Sequence, residues 1–460
     1  MLGIPHPYLT TTLPGVGGVI KQCPEDFIVE EVPLYYACGS GEHAYFEIEK
    51  TDLSTPEALE RLSKHLGVAP REFGYAGLKD RKGITRQVIS VARVDPEKLT
   101  ALDIPQLKVL WVRLHSNKLR IGHLRGNRFR IRIRGIAPGS ETRPEQIIEQ
   151  ILAILVEKGV PNYYGPQRFG NRGDAQRVGR AFLKRDDRAA VRRILGYPSV
   201  SENNPHVVRA REHFMAGEWQ HAHDSFPGSY REERRLLQYL LQAGENYSGA
   251  RQRLSDTSRK LYSTAYQSYL FNLALSERLR RANGDLRVLF AGDMAYLHRN
   301  GALFYVADPA KEEARTASFE ISPSGPIFGK KMPVPDGIEG DVERQILELE
   351  GIRAADFHQL LPRLKLEGGR RPFRVRVEEL SWRLDQTDVC LEFFLPKGSY
   401  ATTLLREIMK NDLVPAGFYE EGEAEKYDLW RPLDSPKEGS PKEGLCPTQD
   451  PGPTEEDEES

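Results

Sequence analysis

NRFRIRIRG, residues Asn127 to Gly135, is the stretch on which the reading of the fold turns. Phe129, Ile131 and Ile133 alternate with Arg128, Arg130, Arg132 and Arg134, the two-residue period of a strand with one face in a core and the other at solvent or phosphate. The surrounding segment, 108–140, holds nine Lys/Arg and no Asp/Glu. Like charges side by side on one strand face repel, so the arginine row calls for an anionic counterpart. Two readings stand open: a solvated face whose arginine stems cover apolar surface, or a face that meets a polyanion such as RNA.

Outward from this strand, the N-terminal side is mostly sheet. GVIKQC, a Pro24-Glu25-Asp26 turn, FIVEEV, AYFEIEK, QVISVARV and VLWVRLH are further strand candidates. A helix interrupts them: Ser54 or Thr55 caps it, Pro56 fits its first turn, Leu59, Leu62 and Leu66 form its stripe, and Gly67 closes it. Another helix is expected over 144–158. From about residue 160 to 366 the texture is helical, including REERRLLQYLLQAG and a long candidate over 257–281, with one hairpin, MAYLHRNGALFYV, whose Asn300-Gly301 pair suits a type I′ turn. Strands then return as FRVRVEEL and VCLEFFL, followed by a helix over 401–410. A sheet resumed after a helical interlude predicts one domain built from both ends of the chain with a second domain inserted in it.

Bulk properties narrow the class. The chain has 460 residues, enough for two or three cores, with 39% hydrophobic and 28% charged residues. It holds no apolar run long enough to span a bilayer and begins without the basic and apolar regions of a secretory leader, so a cytoplasmic protein off the membrane is expected. Cys23, Cys38, Cys390 and Cys446 show no CxxC spacing, which predicts free thiols and no metal. The net charge of −1 divides unevenly: 416–460 carries 14 Asp/Glu against 4 Lys/Arg, leaving the body at +9. A basic body fits a polyanionic partner. Residues 431–460, rich in Pro, Gly, Ser and acid, read as a disordered acidic tail.

HExxH, P-loop and GxSxG signatures are missing. PGVGGV, near Gly15, is glycine-rich but follows no strand and opens no helix, so it makes a poor phosphate cradle. GYAGLKDRKGITRQ, residues 74–87, places one acid, Asp80, among basic residues in a glycine-bounded loop. Such a loop suits a site residue on a rigid scaffold, while the plainer reading is a turn residue or a partner for Lys79, Arg81 or Lys82. NYYGPQRFGNRG, residues 162–173, sets Tyr163, Tyr164 and Phe169 beside Arg168 and Arg172, a mixture suited to base stacking and phosphate contact, or to an ordinary core.

KQCPEDFIVEE, YAGLKDRKGITRQ, GNRFRI, NYYGPQRFG, YSTAYQSYLFN, SGPIFG and KGSYATTLLREIM occur in that order between residues 21 and 409. This series resembles the motifs of the TruD family of pseudouridine synthases. The resemblance implies an α+β fold in which a pseudouridine synthase-like catalytic domain with a mixed sheet (1–159 and 369–430) is interrupted by a family-specific α+β insert (160–368). It implies an enzyme, acting as a monomer without cofactor, that isomerises uridine to pseudouridine in tRNA (D-arm region, position 13 type) or another structured RNA. It further implies that Asp80 is catalytic, that Phe129 stacks on the target base, and that Asn127 positions the site. Phe27 lies near that site and Lys21 is a basic partner for Asp80. Tyr400 stands where the family often has Phe.

The isomerisation detaches uracil from C1′ and reattaches it through C5, with no oxidation and no incoming group. One ionised Asp that attacks C1′ or removes a sugar proton is sufficient, and a cation such as Lys21 would offset its desolvation. If the loop is extended, Lys79 and Arg81 point away from Asp80 and meet RNA phosphates, together with Arg168 and the arginine row. A non-catalytic RNA-binding protein and a cofactor-dependent RNA methyltransferase are the competing classes.

Overall fold

The computed structural model describes residues 6–136, 143–199, 202–359 and 366–411; the acidic tail and the end of the expected C-terminal catalytic segment lie outside them. The N-terminal strands are Phe27–Pro33 (β1), His43–Thr51 (β2), Gly74–Tyr75 (β3), Ile84–Ala92 (β4), Leu107–His115 (β5) and Leu124–Ile133 (β6). Val160–Pro161 (β7), Met294–Leu297 (β8), Leu303–Tyr305 (β9), Ile321–Ile327 (β10), Gly369–Pro372 (β11) and Arg374–Val375 (β12) follow, then Glu378–Asp385 (β13) and Asp388–Pro396 (β14). Eight of them form one mixed sheet in the order β13-β14-β6-β1-β4-β2-β5, with β3 beside β4, so the two ends of the chain do share a sheet. β1 and β4 run parallel and the other pairs antiparallel.

Register shows which side chains share a face, because directly paired residues point the same way. Phe27, Val29 and Glu31 of β1 pair with Ile131, Phe129 and Asn127 of β6, and Phe129 pairs with Phe393 of β14. Across β4 the same face continues through Thr85 and Gln87 to Lys50 and Ile48 of β2. Two groups of helices cover it. Thr55–Leu66 buries Leu59 and Leu62 against Phe46, Ile48 and Ile89, while Pro144–Lys158 and Ala401–Met409 pack over Phe129, Ile131 and Leu391. The opposite face carries Glu30, Arg86 and Glu49 in register, continuing Arg128, Arg130 and Arg132, and is polar.

Helices between Ala175 and Gln252 bury their own core, including Phe182, Val191, Phe214, Phe226 and Leu237. The long helix Asp256–Arg281 packs instead into the core shared with the sheet. Of the two cap candidates for the first helix it is Ser54 that accepts from Glu57 N–H, and the long helix is capped in the same way by Ser255, which accepts from Ser258 N–H. No helix among the described residues is long and apolar enough to cross a membrane.

Three local expectations are corrected. GVIKQC is no strand: it makes a single bridge, Val19 with Arg134, and Lys21 takes φ 60°. FRVRVEEL splits, because β12 pairs with β7 while β13 begins a separate ladder with β14, and Glu379 at φ 53° marks the irregular register. The hairpin turn is not type I′, which needs positive φ at both central residues: Gly301 is at 77°, Asn300 is not in that region, and both donate to Leu297 C=O.

PGVGGV has a structural use. Val16 and Gly17 N–H donate to Ile408 and Met409 carbonyls (both 3.0 Å), satisfying the C-terminal end of the last helix.

Candidate active site

The segment between β3 and β4 leaves the sheet and returns within eight residues, and each side of the excursion is tied down. Lys79 N–H donates to Thr55 Oγ1 (3.0 Å), and Gly83 exchanges two hydrogen bonds with Asp52 (3.0 Å each). Gly83 has φ 121°, and a Cβ there would lie 2.3 Å from Phe27 C=O, so a glycine lets the chain close against β1. Between these ties sits Asp80, its side chain 34% exposed and therefore open to a substrate.

Lys21 Nζ lies 3.0 Å from Asp80 Oδ2 and 3.9 Å from the centroid of the Phe27 ring. The left-handed backbone at Lys21 sets the direction of this side chain, a strained conformation of the kind that persists at functional sites. The sequence expectation that Lys21 partners Asp80 corresponds to a contact in the structure.

Behind the carboxylate is a buried polar group. Lys79 Nζ is 2.7 Å from Glu31 Oε2 and donates to Asn127 Oδ1 (2.8 Å), with the Lys79 and Glu31 side chains 5% and 1% exposed. The expectation that Lys79 meets phosphates is thereby corrected: its ammonium is enclosed and occupied. Arg81, next after Asp80, is two-thirds exposed and touches Glu57 at 3.5 Å, which leaves its guanidinium at the surface.

Phe129 is buried, stacked on Phe393 at 5.3 Å and edge-on to Phe27 at 6.3 Å. The three rings form the apolar floor beside Lys21. A second aromatic and basic group comes from the NYYGPQRFG segment, β11 and the last motif. Tyr400 meets Tyr164 edge-on at 6.0 Å, and Arg371 lies over Tyr164 at 4.3 Å while donating to Asn162 C=O (3.2 Å) and Gly398 C=O (2.8 Å). Arg168 donates to Ser268 Oγ (3.0 Å) and also faces Tyr164. Burial raises the Tyr400 hydroxyl pKa; Arg371 and Arg168 oppose the rise, and Tyr164 and Asp80 add to it. Tyr400 thus lies within electrostatic reach of Arg371, Arg168 and Asp80.

Arg128, Arg130 and Arg132 are not brought to this place. They leave the opposite face of β6, and each is already paired: Arg128 with Glu379 (2.7 Å), Arg130 with Glu392 (2.9 Å), Arg132 with Asp388 (2.7 Å) and Asp385 (2.9 Å). Arg134, beyond the strand end, binds buried Asp26 at 2.8 Å. The anionic counterpart of the row is supplied within the protein, by Glu379 and Asp385 of β13 and Asp388 and Glu392 of β14, so the row is balanced without a phosphate. Lys50 and Arg371 were not anticipated. Lys50 is 1% exposed, its ammonium donates to Leu53 and Asp80 carbonyls, and burial pushes its pKa down to about 8.

Among the described residues one group has metal-ligand spacing: His213, Glu218 and His221, with ligand atoms within 4.8 Å of one another. It lies on the helical insert, at the protein surface, where Glu218 already accepts from His213 at 2.5 Å.

Comparison with known proteins gives the family. The family described as tRNA pseudouridine synthase D (TruD) matches residues 3–408. The chain is 46% identical over 406 residues to the tRNA pseudouridine synthase D of Geotalea daltonii, covering 88% of this chain and 100% of that protein. It is 38% identical to that of Thermus thermophilus, covering 88% and 92%. A crystal structure assigned to TruD from Methanosarcina mazei superposes with a TM-score of 0.72 at 28% identity, covering 88% of this chain and 96% of that one.

Proposed function

This chain belongs to the TruD family of tRNA pseudouridine synthases, and from that premise we propose that it converts a uridine in the D-arm region of tRNA to pseudouridine through Asp80, without a cofactor. The enzyme is an isomerase with tRNA as its substrate. The observation that carries the assignment of Asp80 is its contact with Lys21: a partly exposed carboxylate held 3.0 Å from an ammonium at the edge of an aromatic floor.

Chemistry follows from that arrangement. The uridine leaves its stack and enters between the Phe27, Phe129 and Phe393 floor and the Tyr164 and Tyr400 wall, where apolar surface excludes water. The ionised Asp80 acts at the sugar, by addition to C1′ or by removal of a sugar proton, as the bond from C1′ to N1 breaks. The released uracil turns within the pocket and bonds to C1′ through C5, as Asp80 leaves C1′ or returns the sugar proton according to the route; the base loses the C5 proton and gains one at N1. Lys21 sets a positive charge beside the carboxylate. The buried Lys79, Glu31 and Asn127 group holds the loop and floor in register from below. Arg81, exposed Lys82 and Arg168 supply positive charge for the phosphates on the Asp80 side, while the Arg128, Arg130 and Arg132 face stays with its own carboxylates.

The division of labour follows the topology. Strands from Phe27 to Ile133 and from Glu378 to Pro396 share one sheet, which supports a catalytic domain built from both ends of the chain, while the helices between Ala175 and Gln252 bury a separate core, which supports an insert; β11 and β12 pair with β10 and β7 on the insert side. The direct test incubates extensively dialysed protein with unmodified tRNA transcript in a chelator and maps pseudouridine. One new D-arm pseudouridine is expected. Product that appears only with an added organic cofactor or metal would reject the cofactor-free route, and product confined to another arm would reject the D-arm assignment.

A further inference from the structure

Lys50 lies near the end of β2, with 1% of its surface exposed, on the face of the sheet that carries the site. Sequence gives it a neighbourhood of β-strand residues where an apolar side chain would pack at no electrostatic cost. A buried ammonium needs compensation, and here that comes chiefly from main-chain oxygen: Nζ donates to Leu53 C=O and, at 3.1 Å, to Asp80 C=O. The charged groups acting on it from the elements around it are Asp80, which favours its charge, Lys79, which opposes it, and Glu57 on the helix Thr55–Leu66, which favours it. Nearby Asp52 is occupied by Gly83 N–H. The two other ties of the loop hold Lys79 and Gly83; Lys50 holds Asp80 itself.

We propose that Lys50 is a positioning residue for the reaction: its buried ammonium fixes the main chain at Asp80, so that the carboxylate and Lys21 meet the sugar in one orientation. The proposal rests on the reading that Asp80 acts on the substrate. A displacement of about 1 Å at a reacting group costs on the order of 100-fold in rate, so a tie on the backbone of that residue affects turnover far more than binding. Affinity for tRNA comes from surface cations and stacking elsewhere.

Charge state gives the tie a pH limit. Burial lowers Lys50 from 10.5 to about 8, so the ammonium is complete below that pH and is lost as pH rises through it. A neutral amine keeps N–H groups but forfeits charge assistance, roughly half of the bond strength. Stability moves the other way. In the unfolded chain Lys50 stays protonated to 10.5, so between about 8 and 10.5 the unfolded state binds more protons and rising pH favours the folded form. A rate that falls where this group's contribution to stability rises is not expected of a residue that only supports the fold.

The test compares the full-length protein with Lys50→Met and Lys50→Arg, using unmodified tRNA transcript as the probe. Single-turnover rates are taken from about pH 6.5 to 9.5, with tRNA Kd at fixed salt and melting curves. Lys50→Met is expected to lose about 100-fold in rate with Kd within about threefold. The wild-type rate is expected to decline above about pH 8, a limb that Lys50→Met lacks. Lys50→Arg, which keeps a cation, should recover part of the rate and also lack that limb. A Lys50→Met rate within about threefold of wild type, or a wild-type rate level through pH 9, overturns the proposal. Should Lys50→Met fail to fold, the wild-type and Lys50→Arg profiles decide it alone. Asp80→Asn run in parallel separates the two failures: an active Asp80→Asn rejects the catalytic reading, whereas an inactive Asp80→Asn beside an active Lys50→Met rejects only the role of Lys50.

Discussion

Lys79 Nζ and Glu31 Oε2 stand 2.7 Å apart with 5% and 1% of their side chains exposed, and the residue that follows Lys79 is Asp80. Removing one member leaves the other charge buried without its partner, a loss of about 3–5 kcal/mol, whereas replacing both with apolar side chains of similar size costs far less. Lys79→Met and Glu31→Met are each expected to lower unfolding free energy by that amount in urea titrations, with much of it regained in the double variant. Additive losses would mean that the two charges do not sense each other.

Asp80→Asn retains size and hydrogen bonding but removes the anion. Single-turnover product formation should disappear, while tRNA Kd stays within about tenfold, or about 1.4 kcal/mol. Asn also suits a turn, so a purely structural Asp80 would tolerate the change. Turnover near the wild-type rate in the folded variant ends the assignment.

The two basic surfaces make opposite predictions. Arg130→Gln with Arg132→Gln, on the carboxylate-paired face, should leave the salt dependence of tRNA binding unchanged. Arg81→Gln with Lys82→Gln, beside Asp80, should reduce its slope by roughly 0.7–0.9 for each phosphate that is no longer neutralised. A reduced slope for the first pair alone would return the RNA to the arginine face.

Acid should weaken the fold through two buried histidines. His6, hydrogen-bonded to Ser276 and stacked on Tyr163, is lowered from 6.5 to about 3, chiefly by burial and then by Arg406; His298 is lowered to about 4, again chiefly by burial. Each stays neutral in the folded state, so the unfolded state binds more protons below pH 6.5 and stability falls as pH drops from there toward 4. The melting temperature is expected to be lower at pH 5 than at pH 7, and His6→Gln should narrow the difference. An equal decline in that variant would place the acid sensitivity elsewhere.

What sequence could supply depended on how far apart the partners lie. The sheet at both ends, the helical interlude and the pairing of Lys21 with Asp80 were legible because period, texture and motif order are local or ordered signals. The partners of the arginine row were not legible, because Asp388 and Glu392 arrive from a strand some 250 residues later and become neighbours only through pairing. Lys79 was misread through an assumed extended loop; the actual excursion turns it inward to Glu31. Lys50 was missed although it continues the alternation of Ala44, Phe46 and Ile48 onto the covered face; its partners, being carbonyls, leave no mark in side-chain sequence.

The late arrival of β14 bears on synthesis. The ribosome releases β6 well before the strand that pairs with its free side, an interval on the order of 10–50 s at usual elongation rates. Throughout that time β6 is an unfinished sheet edge, the kind of template on which nascent chains associate. Three like charges on it make pairing with another copy of itself unfavourable, since arginine would face arginine. Once Asp388 and Glu392 emerge, the same charges favour the strand that carries their counterions over another copy of β6.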